Sequence, residues 1–351
     1  MFASPTVFIV GAGASCELGL PSGEDLKQAI ARLLDITYPD GFTQATGDYQ
    51  IAELYRRIAS EQQTNSNTLL SKGWRIRDAL PLALSIDNVL DAHADDKLLE
   101  QVGKLAIVKA ILAAERSSKL FISERRPKIY AGDLQDTWLV GFFRLLTESC
   151  RKEAISTLFS NVTIITFNYD RCIEQFLPYA LAEYYDLEFA EAQELAGQLT
   201  ILHAYGKVGD LPRPGLQETV PFGADRANIL DLTNHIRTFS ESTDSQLTSS
   251  IREKLAEAET IVFLGFAYHP MNMQLLQTTG FDEEKRVFGT SYGLSEADGH
   301  VVEEQLSAMF EGVETTSLNA PLSLPERHVI LSNEKCGTFI RNYFRSISGA
   351  G

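Results

Sequence analysis

The chain has 351 residues, 44% of them hydrophobic and 22% charged, enough to fill one large domain or two modest ones. A net charge of -16, from 47 acidic against 31 basic residues, argues against a nucleic-acid partner, because backbone affinity comes from Lys and Arg neutralising phosphates. Cys16, Cys150, Cys172 and Cys336 form no C-x-x-C pair, and no apolar run approaches the roughly 18 residues of a membrane helix, so a reducing cytoplasm is expected.

The N-terminus MFASPT has no basic run, so no signal peptide is expected. Residues 6 to 10 (TVFIV) read as a buried strand that ends at Gly11. After Gly11-Ala12-Gly13-Ala14-Ser15, Ser22 and Asp25 form a capping-box pattern. Leu26, Ala29, Ile30, Leu33 and Leu34 then repeat at helical spacing, and Tyr38-Pro39-Asp40-Gly41 stops that helix.

Residues 43–158 carry no convincing strand and read as four or five helices. Leu98, Val102, Leu105, Val108 and Leu112 form one apolar stripe, and Trp138, Leu139, Phe142, Leu145 and Leu146 form another. Within this block Ser85–Leu90 reads as an N-capped helix, and Asp87 reads as a solvated first-turn acid in preference to a residue facing the crevice. The basic run at 124–128 reads as a solvated loop.

Strands return at 162–166 (VTIIT), 200–202, 260–264 (TIVFL), 287–288 and 329–331, with helical segments at 171–196, 244–258 and 298–311 between them. This alternation predicts a doubly wound, Rossmann-like α/β sheet built from 1–42 and 159–351, with 43–158 as a large helical insertion. Ligands of such sheets sit outside the carboxyl ends of the strands. Those ends carry the glycine loop, then Phe167-Asn168-Tyr169-Asp170, then His203, then Gly265.

Each motif also has a bland reading. The glycine loop is half of a G-x-G-x-x-G fingerprint, since Cys16 holds the third glycine position, and no second strand with an acidic end follows about 20 residues on. A hydride-transfer enzyme is therefore disfavoured. Asn168 and Asp170 are good turn residues, a lone histidine at a strand end is more often structural, and His269 before Pro270 reads as a helix start in preference to a residue lining the adenosine end.

Taken in order, GAGAS with GLPS, TFNYD, a histidine before a glycine and a strand ending in glycine resemble the Sir2 family, and more narrowly the Sir2-like NAD-hydrolysing proteins of bacterial anti-phage defence. The resemblance covers 5–35 and 160–295. It implies that Gly11, Ala12, Gly13 and Ser15 line the NAD diphosphate and adjacent ribose, and that Asn168 is the catalytic asparagine. It further implies that Asp170 holds the nicotinamide carboxamide, that His203 is the catalytic histidine near the ribose hydroxyls, and that Gly265 and Phe266 approach the adenosine. Sirtuin deacylases carry paired C-x-x-C for zinc and a histidine followed at once by glycine. This chain has neither, since Ala204 and Tyr205 precede Gly206. Both departures favour plain NAD+ cleavage, with no metal, over acyl-lysine chemistry. The alternatives are an NAD-dependent deacylase and a non-catalytic NAD or ADP-ribose binding subunit.

The resemblance implies NAD depletion on phage infection, and such an activity needs an off state. A homo-oligomer is expected, with the two apolar stripes of the insertion buried against other subunits. A translocase-type (HerA-like) partner ATPase is a further expectation of the resemblance.

Overall fold

The computed structural model describes residues 2–243, 246–278, 285–310 and 328–349. Six strands form one parallel sheet: β1 (Thr6–Val10), β2 (Val162–Thr166), β3 (Thr200–His203), β4 (Thr260–Leu264), β5 (Arg286–Thr290) and β6 (Val329–Ser332). Their order is β3-β2-β1-β4-β5-β6, the Rossmann arrangement, so the winding direction reverses between β1 and β4. β1, β2 and β4 are buried along their whole length, as central parallel strands covered on both faces must be.

The side chains alternate between two cores. Val7, Ile9, Ile165, Ile261 and Phe263 point into one, and Phe8, Val10, Ile164, Val262 and Leu264 into the other. The capping box at Ser22 forms as read, with Ser22 Oγ accepting from the Asp25 N–H, and starts the helix Gly23–Leu34. A short helix the sequence reading did not separate, Ala12–Cys16, follows β1 directly.

The block 43–158 holds five α-helices, and it is divided between the two faces of the sheet. The long helix Lys97–Ser117 packs into the first core beside Gly23–Leu34, whereas Trp138–Thr147 packs into the second beside Cys172–Tyr185. This corrects the reading of the two stripes as surplus surface. Val102, Leu105 and Val108, like Trp138, Phe142 and Leu145, are at most 1% exposed within the single chain. Sheet and helices cover them, so the stripes give no reason for a subunit contact.

An ion pair also ties the insertion to the sheet. Arg171, directly after Asp170, and Glu115, near the end of Lys97–Ser117, are both completely buried. Arg171 Nε and Nη2 donate to Glu115 Oε1 and Oε2 at 3.0 and 2.5 Å, and Glu115 also accepts from the backbone N–H groups of Arg171 and Gly223.

Candidate active site

A cavity of about 650 Å³ opens where the winding reverses. The turns after β1 and β4, the segment after β2, the end of β5 and residues 84–88 of the insertion all line it. Gly11, Ala12, Gly13, Asn168, Asp170, Gly265 and Phe266 all reach it, whereas Ser15 and His203 do not.

The glycines are required by the two turns themselves. Gly265 has φ +57°, and a Cβ on it would sit 2.0 Å from the Ala14 nitrogen. A Cβ on Gly11 would lie 2.6 Å from the Gly265 carbonyl oxygen. The N–H groups of Gly11 and Gly13 already donate to the carbonyls of Leu264 and Gly265, each at 2.9 Å. The expected diphosphate loop thus has fewer free donors than its composition suggests, and its glycines serve first to let two turns touch.

Asn168 is held from behind. Its Nδ2 donates to the Gly11 carbonyl and to Ser15 Oγ, each at 3.0 Å. The Gly11 carbonyl can only accept, so the amide nitrogen must face it, and Oδ1 is left for the cavity. Ser15 Oγ then donates to Asp170 Oδ2 at 2.8 Å, and Asp170 Oδ1 accepts from the Cys172 N–H at 3.1 Å. Ser15 is therefore a buried link between the two polar residues of the TFNYD motif.

His203 also lies outside the cavity lining. Its ring is buried behind Asn168, with Nδ1 3.2 Å from the Asn168 backbone carbonyl and Nε2 2.9 Å from Glu174 Oε1. Both neighbours are acceptors, and the two contacts enclose both ring nitrogens. Lys207 Nζ also reaches Glu174 Oε1, at 3.1 Å. The ring thus links the Asn168 backbone to Glu174.

Burial alone would raise the Glu174 carboxyl, but His203 and Lys207 outweigh it and hold the group far below its ordinary value of 4.5. A carboxyl depressed in the folded state adds stability above its unfolded value, and that stability is lost as pH falls through the folded one. Glu174→Gln should therefore be less stable at neutral pH. Its denaturation midpoint should also fall less steeply than the wild type's on acidification below 4.5, as checked by urea melts across pH.

Asp87 takes the less favoured of its two readings. It lines the cavity, and the Tyr169 hydroxyl donates to its Oδ1. Burial pushes its carboxyl above the ordinary range despite that hydrogen bond. The capping box of Ser85 and Asn88 was legible locally, but the contact with a residue 82 positions away was not. Tyr205 also lines the cavity and donates to Asn272 Oδ1 at 2.7 Å. His269 begins the helix Pro270–Leu276 as read, and it lines the cavity too, held below its usual pKa by burial and then by Lys27.

The described lining carries four carboxylates, Glu17, Asp87, Asp170 and Glu334, against one ammonium, that of Lys335. Glu17 is clamped by the backbone N–H groups of Trp138 and Gly337, at 2.8 and 2.9 Å. An acidic wall of this kind favours a ligand with a positively charged part. Among the described residues no cluster of three or more His, Cys, Asp or Glu is placed to hold a metal, and no helix is long and apolar enough to cross a membrane.

No protein-family model and no curated protein matches the chain. Among solved structures it is similar to a Sir2 homologue in complex with NAD, at 12% identity over 98% of this chain and 90% of that one, with a TM-score of 0.38. It is also similar to a triple mutant of Sir2 homologues in complex with 2'-O-acetyl ADP ribose, at 11% identity over 98% and 92%, with a TM-score of 0.39.

Proposed function

We propose that this chain is a Sir2-like NAD+ hydrolase that cleaves the nicotinamide–ribose bond to release nicotinamide and ADP-ribose, and that it serves to deplete NAD+ in anti-phage defence. The observation that carries the reading is Asn168, which lines a cavity at the Rossmann switch point with its amide nitrogen taken by the Gly11 carbonyl and Ser15, so that its oxygen is left to a ligand. Asp170 stands beside it on the same hydrogen-bonded chain.

The chemistry fits these groups. The pyridinium ring of NAD+ is positive and leaves as neutral nicotinamide, so no general acid is needed. The ribose carbon it leaves becomes oxocarbenium-like, as in glycoside cleavage. Carboxylates at the β2 end of the cavity favour both positive centres. Asp170 accepts from Ser15 Oγ and the Cys172 N–H, and an ionised carboxylate has about four acceptor sites, which leaves room for the N–H groups of a carboxamide. Asn168 Oδ1, as an acceptor, suits a ribose hydroxyl or the attacking water. Gly11–Gly13, Gly265 and Phe266 would then run beside the remainder of the dinucleotide, with the adenosine toward β5. A cavity of about 650 Å³ lies in the range of small-molecule sites. His203 acts in this account by holding the Asn168 backbone. Activity is switched on by self-assembly of the chain, through surfaces other than the two stripes of the insertion, and an ATPase partner would promote that assembly.

An acyl-lysine peptide separates hydrolase from deacylase. With NAD+ and such a peptide, nicotinamide and plain ADP-ribose should appear at the rate seen without it, and a peptide-dependent acyl-ADP-ribose product would overturn the hydrolase reading. The same assay run with EDTA should show unchanged turnover and an unchanged melting curve. Loss of either on chelation would show that a metal takes part.

A further inference from the structure

We propose that Asp87, supplied by the helical insertion, is the proton acceptor for the water that attacks the ribose. The proposal rests on the hydrolase reading and adds a residue to it. Hydrolysis forms a bond from the water oxygen to the ribose carbon, breaks the bond from that carbon to the nicotinamide nitrogen, and sends the bond's electron pair to nicotinamide. One water proton must go to a base. His203 is enclosed between the Asn168 carbonyl and Glu174 and does not reach the cavity.

Four carboxylates line the cavity, and their partners separate them. Glu17 has both oxygens clamped by backbone N–H groups. Asp170 has one oxygen on Ser15 and the other on the Cys172 N–H. Glu334 accepts from Asn342 after β6, on the far side of β1 from Asn168. Asp87 is held through Tyr169, the residue between Asn168 and Asp170, which fixes it at the end of the cavity where the nicotinamide–ribose bond would lie.

Its surroundings let it carry a proton. Tyr169 and Tyr205 face it from the sheet side, and their rings lie 6.2 Å apart. Asp91 lies on its own helix. From neighbouring elements, Lys27 is engaged by the Ala83 carbonyl and Glu24, and His269 lines the same cavity. Burial raises the Asp87 carboxyl toward the pH at which a base is most effective, and the Tyr169 hydrogen bond opposes that rise.

The test is the pH profile of kcat at saturating NAD+ for wild type, Asp87→Asn and Tyr169→Phe, with NAD+ binding followed by calorimetry. Asp87→Asn keeps the shape and can still accept from Tyr169. It should bind NAD+ within a few-fold of wild type, turn over roughly 10²–10⁴-fold more slowly, and lose the acidic limb of the profile. Tyr169→Phe removes the bond that lowers Asp87, so its acidic limb should move to higher pH. Wild-type turnover in Asp87→Asn, or slowed turnover with the acidic limb intact, overturns the proposal and leaves the hydrolase reading standing. If Asp87→Asn does not fold, Tyr169→Phe decides, and an unmoved limb overturns the proposal. A wild-type chain that binds NAD+ and releases no nicotinamide overturns the hydrolase reading and the proposal together.

Discussion

Asn168→Ala should lower NAD+ cleavage by on the order of 10²–10³-fold, the loss typical when a fixed polar group at a reacting centre is removed. The variant loses the amide side chain that Gly11 and Ser15 hold at the β2 end of the cavity. It also leaves the Gly11 carbonyl and Ser15 Oγ each short of one donor. Asn168 is only 8% exposed, so this costs about 1–3 kcal/mol. That is well within the 5–15 kcal/mol stability of an ordinary domain, so the variant should fold with a lowered melting temperature. Purified variant and wild type can be compared by chromatographic assay of nicotinamide and by thermal melting. Near-wild-type turnover would remove Asn168 from the chemistry, and an unfolded variant would make its role one of scaffolding.

The largest effect on stability is expected from Glu115→Ala. The substitution strips a completely buried guanidinium of its counter-charge and leaves the N–H groups of Arg171 and Gly223 without their acceptor. Breaking a buried pair from one side costs about 3–5 kcal/mol, mostly for the stranded charge. Replacing both members with apolar residues of similar volume, as in Glu115→Leu with Arg171→Met, should recover much of that loss. Arg171 adjoins Asp170, so the single variant should also lose activity at temperatures where it is still folded. Urea denaturation of the three proteins checks the order. A single variant as stable as wild type would show that the pair is not closed in solution.

Much of the sheet was legible because parallel strands buried on both faces appear as short β-branched and aromatic runs, as in TVFIV, VTIIT and TIVFL. The Ser22 cap was legible because its partner Asp25 is local. The site was only half legible. Asn168 and Asp170 follow a strand end, and strand ends fix where a residue sits. They do not fix where its ring or hydroxyl points. His203 turns from the cavity because Glu174 and Lys207 wait on the other side, and Ser15 turns inward because Asn168 and Asp170 bracket its hydroxyl. Asp87 was out of reach of any local signal, since its partner is Tyr169 on the sheet. The stripes at 98–112 and 138–146 had true helical periodicity, but periodicity does not say what covers an apolar face. Here the two faces of one sheet do so.

The central claim is that this chain itself cleaves NAD+ at the nicotinamide–ribose bond. The direct measurement is a time course of purified wild-type protein with NAD+ across a range of protein concentrations, with nicotinamide and ADP-ribose both quantified. The two products should appear in equal amounts, and Asn168→Ala at the same concentrations should produce neither at a comparable rate. NAD+ bound by the wild-type chain yet recovered intact at every concentration would contradict it.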